Sequence, residues 1–107
     1  MGIEFLGLGE VVVDWVAEIA HFPKADEKVD SIAQSKHPGG VTANYVVAAS
    51  RLGVKTGFYG AVGKDEYGKF LIKDFQKEDV DISNLIVDDK QTPVNFIFIT
   101  KETGEKV

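Results

Sequence analysis

Residues 38–53 constrain the fold most. They read Pro38-Gly39-Gly40-Val41-Thr42-Ala43-Asn44-Tyr45-Val46-Val47-Ala48-Ala49-Ser50-Arg51-Leu52-Gly53. A proline and two glycines lead straight into a run that is apolar nearly all round, and such a run is expected to form a buried helix. The helix is expected over Val41 to Leu52, with Gly53 stopping it as a C-terminal glycine does. Gly39 and Gly40 present bare backbone that another group can approach closely. The first helical turn carries unpaired N–H donors. The amide of Asn44 in that turn both donates and accepts hydrogen bonds. The stretch therefore reads as a place for a polar small molecule.

The flanking sequence sets the topology. Ile3 to Leu8 is short, apolar and bounded by glycine, as a buried strand is. Glu10 to Ala20 contains Val11-Val12-Val13, Trp15-Val16 and Ile19, whose β-branched content favours strand. Asp14 interrupts it with a charge that is costly to bury unpaired. His21 to Asp26 is a turn around Pro23. Lys28 to Lys36 is a polar strand expected at an edge or solvated on one face. After the helix, Val54 to Val62 reads as a second buried strand. Asp65 to Glu78 is the clearest amphipathic helix, with Tyr67, Phe70, Leu71 and Phe75 on one face. Leu85 to Val87 and Thr92 to Lys101 read as strands, and Thr103-Gly104 as a hairpin turn.

The order β-β-β-α-β-α-β-β implies an α/β fold whose helix-linked strands form a parallel sheet with right-handed crossovers. The strands near 10–20, 28–36 and 92–107 do not fit that sheet and are expected to form a second, smaller one. A hairpin that stops at Val107 is poorly paired, so the sequence reads as cut off inside a larger fold. An edge left bare in this way invites pairing with another chain.

Composition removes several classes of function. The 107 residues suit one small domain. A net charge of −5, from 12 basic and 17 acidic side chains, argues against nucleic acid as a partner, and no basic stripe is visible. The chain has no cysteine, which excludes disulfides and thiolate metal sites and suits a reducing cytoplasm. The first residues lack the features of a signal peptide. No apolar run approaches the roughly 18 residues that span a bilayer, so no membrane partner is expected. His21 and His37 are too few for a histidine-based metal site without carboxylate help.

Most local motifs have a plain structural explanation. Gly7-Leu8-Gly9 begins like a dinucleotide fingerprint, but Val12 stands at the third glycine position and strand, not helix, follows. Gly63 to Phe70 has the spacing of a phosphate loop. However, Phe70 replaces the magnesium-binding hydroxyl, and Asp65 and Glu66 would repel phosphate; Asp65 is better placed to cap the next helix. Asp79, Asp81, Asp88 and Asp89 do not match a calcium loop. His37 reads as a loop histidine, and Trp15, Phe96 and Phe98 as packing. Asp14, a lone carboxylate among β-branched residues, and Asn44, a lone amide on an apolar helix, remain. A carboxylate and an amide that meet in a cleft suit vicinal hydroxyls, at roughly 1.5–3 kcal/mol per charged hydrogen bond.

At these residues the chain resembles the ribokinase-like carbohydrate kinases, the PfkB family, along its whole length but only over the family's N-terminal part. Gly9-Glu10-Val11-Val12-Val13-Asp14 looks like the family's first strand crossing, with Asp14 at a sugar-binding position. Gly39-Gly40-Val41-Thr42-Ala43-Asn44, followed by Arg51-Leu52-Gly53 and Gly63, looks like the N-terminal family signature. In that signature Gly40 and Asn44 fall on substrate-contacting positions, and Gly39 lets the sugar sit against backbone. Thr92-Pro93-Val94-Asn95-Phe96 fits a strand of the substrate lid, and strand alternation puts Asn95 and Ile97 on one face, with Asn95 toward the substrate. Thr42 and Val46 depart from the signature's preferred small residues. Val12 and Val41 replace the Asn and Lys of ribose-specific members, which points away from ribose. The Gly-Glu opening is similar to fructokinases and 2-keto-3-deoxygluconate kinases.

The resemblance implies a ribokinase-like three-layer sandwich with a small β-sheet lid. It also implies phosphoryl transfer from ATP to a sugar or sugar-acid hydroxyl with Mg²⁺ and, in the parent enzyme, possible use of a monovalent cation. The family's general base lies in a Gly-Ala-Gly-Asp segment that this sequence does not contain. No catalytic, ATP-binding or metal residue is therefore expected here, and the chain alone is expected to be inactive. A homodimer through the lid strands is expected. The alternatives are a non-catalytic module that uses the lid strands as a clasp, and a nucleoside kinase of the same family.

Overall fold

The computed structural model describes residues 2–101. Its elements are β1 (Phe5–Leu8), β2 (Val12–Ile19), β3 (Ala33–Gly39), α1 (Val41–Arg51), β4 (Thr56–Gly63), α2 (Glu66–Lys77), β5 (Val80–Asp81), β6 (Leu85–Asp88) and β7 (Val94–Thr100). This is the expected order plus the two-residue β5. The turn expected at Thr103-Gly104 lies outside the described residues. The chain divides into two compact units, Met1–Val13 with Pro38–Pro93, and Asp14–His37 with Val94–Val107.

The first unit holds a parallel sheet. β1 pairs with β4 from Phe5 opposite Thr56 to Leu8 opposite Tyr59. β5 pairs in parallel with the start of β4, and β6 with its end. Each parallel connection needs a crossover, which α1 supplies between β1 and β4 and α2 between β4 and β5. Phe58, Val62, Leu71, Phe75 and Val80 are buried, and the rings of Phe58 and Phe75 lie 5.0 Å apart. On α1, Ala43 and Val46 face inward. Val46 packs so closely on β1 that a Cβ at Gly7 would lie 2.4 Å from its Cγ2.

Both helices end as their sequences dictate. Asp65 caps α2 by accepting the Gly68 N–H at 2.7 Å, as expected of an aspartate three residues before it. Gly53, at φ 91°, follows α1. The Gly53 N–H reaches the Ser50 carbonyl at 2.9 Å and the Val54 N–H the Ala49 carbonyl at 3.1 Å, the two bonds of a Schellman stop. The helix ends are tied together where Arg51 Nε donates to Glu78 Oε1 at 2.9 Å.

Two burial expectations fail. α1 is not buried all round: Val41 is 71% exposed, Tyr45 65% and Leu52 84%. The sheet covers only one side of a helix, and among the described residues nothing covers the other. β1 is likewise exposed apart from Gly7, because it is the edge strand in the order β1-β4-β5.

The second unit is built on a three-stranded sheet in the order β3-β2-β7. The Ile32 N–H donates to the Glu18 carbonyl at 2.7 Å and the Lys101 N–H to the Ile19 carbonyl at 2.9 Å. β3 lies later in the chain than the Lys28–Lys36 reading placed it, and His37, read as a loop residue, sits in it and bonds Ser35 Oγ through Nε2 at 2.8 Å. Pro38 is tolerated there because β3 is an edge strand, where a missing N–H breaks no ladder. Trp15 is half-buried, with Lys36 Nζ 5.7 Å from its ring centroid. Among the described residues no helix is long and apolar enough to cross a membrane.

Candidate functional site

The five residues singled out by sequence fall into two groups, one in each unit. In the second unit, β2 and β7 are neighbours, and their pairing brings Asp14 and Asn95 together. Asn95 Nδ2 donates to Asp14 Oδ1 at 3.2 Å. Asp14 is half-buried and Asn95 exposed. The bond uses one carboxylate oxygen and one amide hydrogen. The second carboxylate oxygen, the amide oxygen and the other amide hydrogen remain as the hydrogen-bonding groups of this pair.

In the first unit, Gly39, Gly40 and Asn44 mark the start of α1. Gly40 is its N-cap residue, at φ 104° and ψ 130°, with no side-chain cap. That conformation favours glycine, and a Cβ there would lie 2.5 Å from the Glu10 carbonyl oxygen. Asn44 begins the helical ladder, its N–H donating to the Gly40 carbonyl at 2.9 Å. Its side chain is exposed; the expectation of an amide on a buried helix is corrected, because Asn44 lies off the stripe that Ala43 and Val46 turn inward. α1 has no acidic residue in its first turn, so its N–H donors keep their positive end unopposed.

Two further features escaped the sequence reading. A crevice of about 260 Å³ opens beyond the carboxyl ends of β1, β4 and β6, lined by Gly9, Glu10, Ala61, Asp88, Lys90 and Gln91 among others. Crevices at that end of a parallel sheet are where open α/β folds take ligands, yet none of the five expected residues lines it. The other feature is Asp65, which does more than cap α2. Its Oδ1 also accepts the Thr92 hydroxyl at 2.7 Å, and its Oδ2 accepts the Thr92 N–H at 2.9 Å. Thr92 in turn accepts the Gly63 N–H at 2.8 Å. These bonds, led by the Thr92 hydroxyl, hold the Asp65 carboxyl below its ordinary pKa. No local pattern reveals the pair, whose members lie 27 residues apart. Among the described residues no three His, Cys, Asp or Glu side chains cluster as a metal site would need.

The profile of the pfkB family carbohydrate kinase matches residues 5–107. The chain belongs to the pfkB family. It is similar to the fructokinase of Salmonella typhimurium, at 35% identity over 76% of this chain and 28% of that protein. The 5-dehydro-2-deoxygluconokinase of Geobacillus thermodenitrificans is 31% identical over 80% of this chain and 24% of that protein. Among solved structures, the ribokinase of Thermotoga maritima superposes with a TM-score of 0.87 at 28% identity, covering 99% of this chain and 35% of that one. Other structures of the same fold hold ATP or ADP. The pfkB chain therefore has the ribokinase fold, and it spans about a quarter of the length of the curated relatives it matches.

Proposed function

We propose that this chain is the substrate-binding portion of an ATP-dependent kinase that phosphorylates a carbohydrate hydroxyl. The Asp14–Asn95 pair carries the reading. A carboxylate and an amide held 3.2 Å apart on neighbouring strands, both reachable by solvent, offer the acceptors and donor that vicinal hydroxyls pair with. Asp14 and Asn95 bind sugar hydroxyls from the small sheet, which acts as a lid. Asn44 binds further hydroxyls, and Gly39 and Gly40 give the sugar bare backbone to rest against. The substrate is a fructose-like sugar or a 2-keto-3-deoxygluconate-like sugar acid. The Gly9-Glu10 opening, the valines at 12 and 41, and the fructokinase and 5-dehydro-2-deoxygluconokinase names among its relatives support that class.

ATP and Mg²⁺ serve the parent reaction, with a monovalent cation as a further candidate. The described residues do not fit a metal, since no acidic or histidine cluster is present among them, and no Gly-Ala-Gly-Asp segment supplies a base. On this reading the 107-residue chain binds sugar and the parent enzyme works in the cytoplasm. Calorimetric titration with fructose, 2-keto-3-deoxygluconate, ribose and adenosine tests this. Binding of one of the first two sustains the reading. Preference for adenosine favours a nucleoside kinase of the same family, and binding of none rejects a sugar half-site.

A second reading has its own support. Phe96 is 64% exposed, Phe98 40% and Ile32 53% on or beside the small sheet, and an apolar cleft there is lined by Ile19, Phe22, Pro23, Val29 and Phe98. Such a surface suits a homodimer in which the small sheets clasp each other.

A further inference from the structure

We propose that Asp65 and Thr92 form a latch that sets how β7 enters the small sheet, and so act as positioning residues for Asn95. Thr92 is only 4% exposed, and both its hydroxyl and its N–H are hydrogen-bonded. Its hydroxyl donates to Asp65 and accepts from Gly63, while its N–H donates to the second Asp65 oxygen. The packing leaves no slack. A Cβ at Gly63 would lie 2.2 Å from the Lys90 carbonyl, and one at Gly68 2.1 Å from the Gly63 carbonyl. The end of β4, the start of α2 and the segment ahead of β7 are thus fastened at one point.

That point lies directly before the site. Pro93 follows Thr92, and its carbonyl accepts the Val13 N–H at 3.0 Å. Beyond this bond the two strands continue with Asp14 on one and Val94-Asn95 on the other. Strand pairing has a period of two, so a slip of one residue turns every side chain to the opposite face. Fixing Thr92 fixes that register and keeps Asn95 on the side of Asp14. The same segment, through Lys90, Gln91 and Pro93, also forms a wall of the crevice at the strand ends. The consequence for sugar rests on the proposed function; the latch itself does not.

Threonine and serine carry the same hydroxyl and valine has none, so Thr92→Val and Thr92→Ser separate bonding from packing. Asp65→Ser keeps a helix cap but cannot hold both Thr92 donors. NMR of the whole chain is the measurement, read at the Val13 amide exchange rate and the Asn95 side-chain amide resonances. Thr92→Val and Asp65→Ser are expected to speed Val13 exchange about ten-fold or more and shift the Asn95 resonances, and Thr92→Ser to restore both. Phe75→Leu, which weakens the core elsewhere, is expected to leave the Asn95 resonances in place. Wild-type behaviour in Thr92→Val and Asp65→Ser, or an equal disturbance from Phe75→Leu, overturns the proposal. Fructose titration of the same samples is a separate arm. If the wild-type chain binds no sugar, the functional reading falls and the exchange data still decide the latch.

Discussion

Asn95 donates a hydrogen bond to Asp14 at 3.2 Å across neighbouring strands, although 81 residues separate them in sequence. A charged hydrogen bond of this kind contributes roughly 1.5–3 kcal/mol. If Asp14 also binds a sugar hydroxyl, Asp14→Ala should weaken sugar affinity about ten- to a hundred-fold while the chain stays folded. Asn95→Ala should weaken it less, because a neutral amide forms the weaker bond. Calorimetry on the three proteins checks this; equal losses in both variants would assign Asp14 no special role.

Asp65 makes stability depend on acid. Its folded-state pKa lies below the ordinary aspartate value, chiefly through the Thr92 hydroxyl, then the Thr92 N–H. A carboxylate whose folded pKa is depressed stabilises the fold above the ordinary carboxylate range, and that stability is lost as pH falls through the lowered value. Asp65→Asn keeps a helix cap but loses the carboxylate that accepts both Thr92 donors, and should cost about 1 kcal/mol or more near neutral pH. The difference from wild type should shrink in acid, as pH falls below the ordinary aspartate value of about 3.9. Urea midpoints at both pH values test the sign; a difference that stays constant or grows in acid contradicts it.

Gly40 should tolerate no side chain. At φ 104°, with the Glu10 carbonyl 2.5 Å from where a Cβ would stand, Gly40→Ala should destabilise by about 2 kcal/mol or more. Gly2→Ala, in open surroundings, should change nothing. Thermal denaturation of the pair distinguishes a strained cap from a general glycine effect, and matching melting curves would remove the strain.

Phe58 and Phe75, with ring centroids 5.0 Å apart, tie β4 to α2. Phe75→Ala should cost about 3–5 kcal/mol, enough to unfold most of a small domain. A loss below about 1 kcal/mol would mean that the Phe75 ring contributes little to the core.

The exposed aromatic residues of β7 bear on assembly. If the small sheets clasp, light scattering should report a dimer that Phe96→Ser returns to monomer. A monomer at every concentration would leave the clasp without support.

The fold was legible where short-range physics decides it. α2 carries a 3.6-residue apolar stripe and its own cap, and both lie where the sequence puts them. The stop at Gly53 needs only a residue that accepts positive φ. Legibility failed where neighbours decide. Pro38-Gly39 has turn chemistry, yet it lies in β3 because an edge strand spares the missing N–H. The apolar surround of α1 pointed to full burial, yet the sheet covers only one side and leaves Tyr45 and Asn44 outside. β5 is two residues long and has no periodicity to read. At the site, Asp14 stood out as a charge in a β-branched strand, whereas Asn95 came only from the resemblance of its segment to the family's lid strand. Their hydrogen bond depends on a register that no local pattern contains, as does the grip of Asp65 on Thr92.

The most direct test is a calorimetric titration of the 107-residue chain and its Asp14→Ala variant with fructose and with 2-keto-3-deoxygluconate. Saturable binding of one of them by the wild-type chain is expected, weakened about ten-fold or more in the variant. Binding that is unchanged by the substitution, or no heat from either sugar with the wild-type chain, would contradict it.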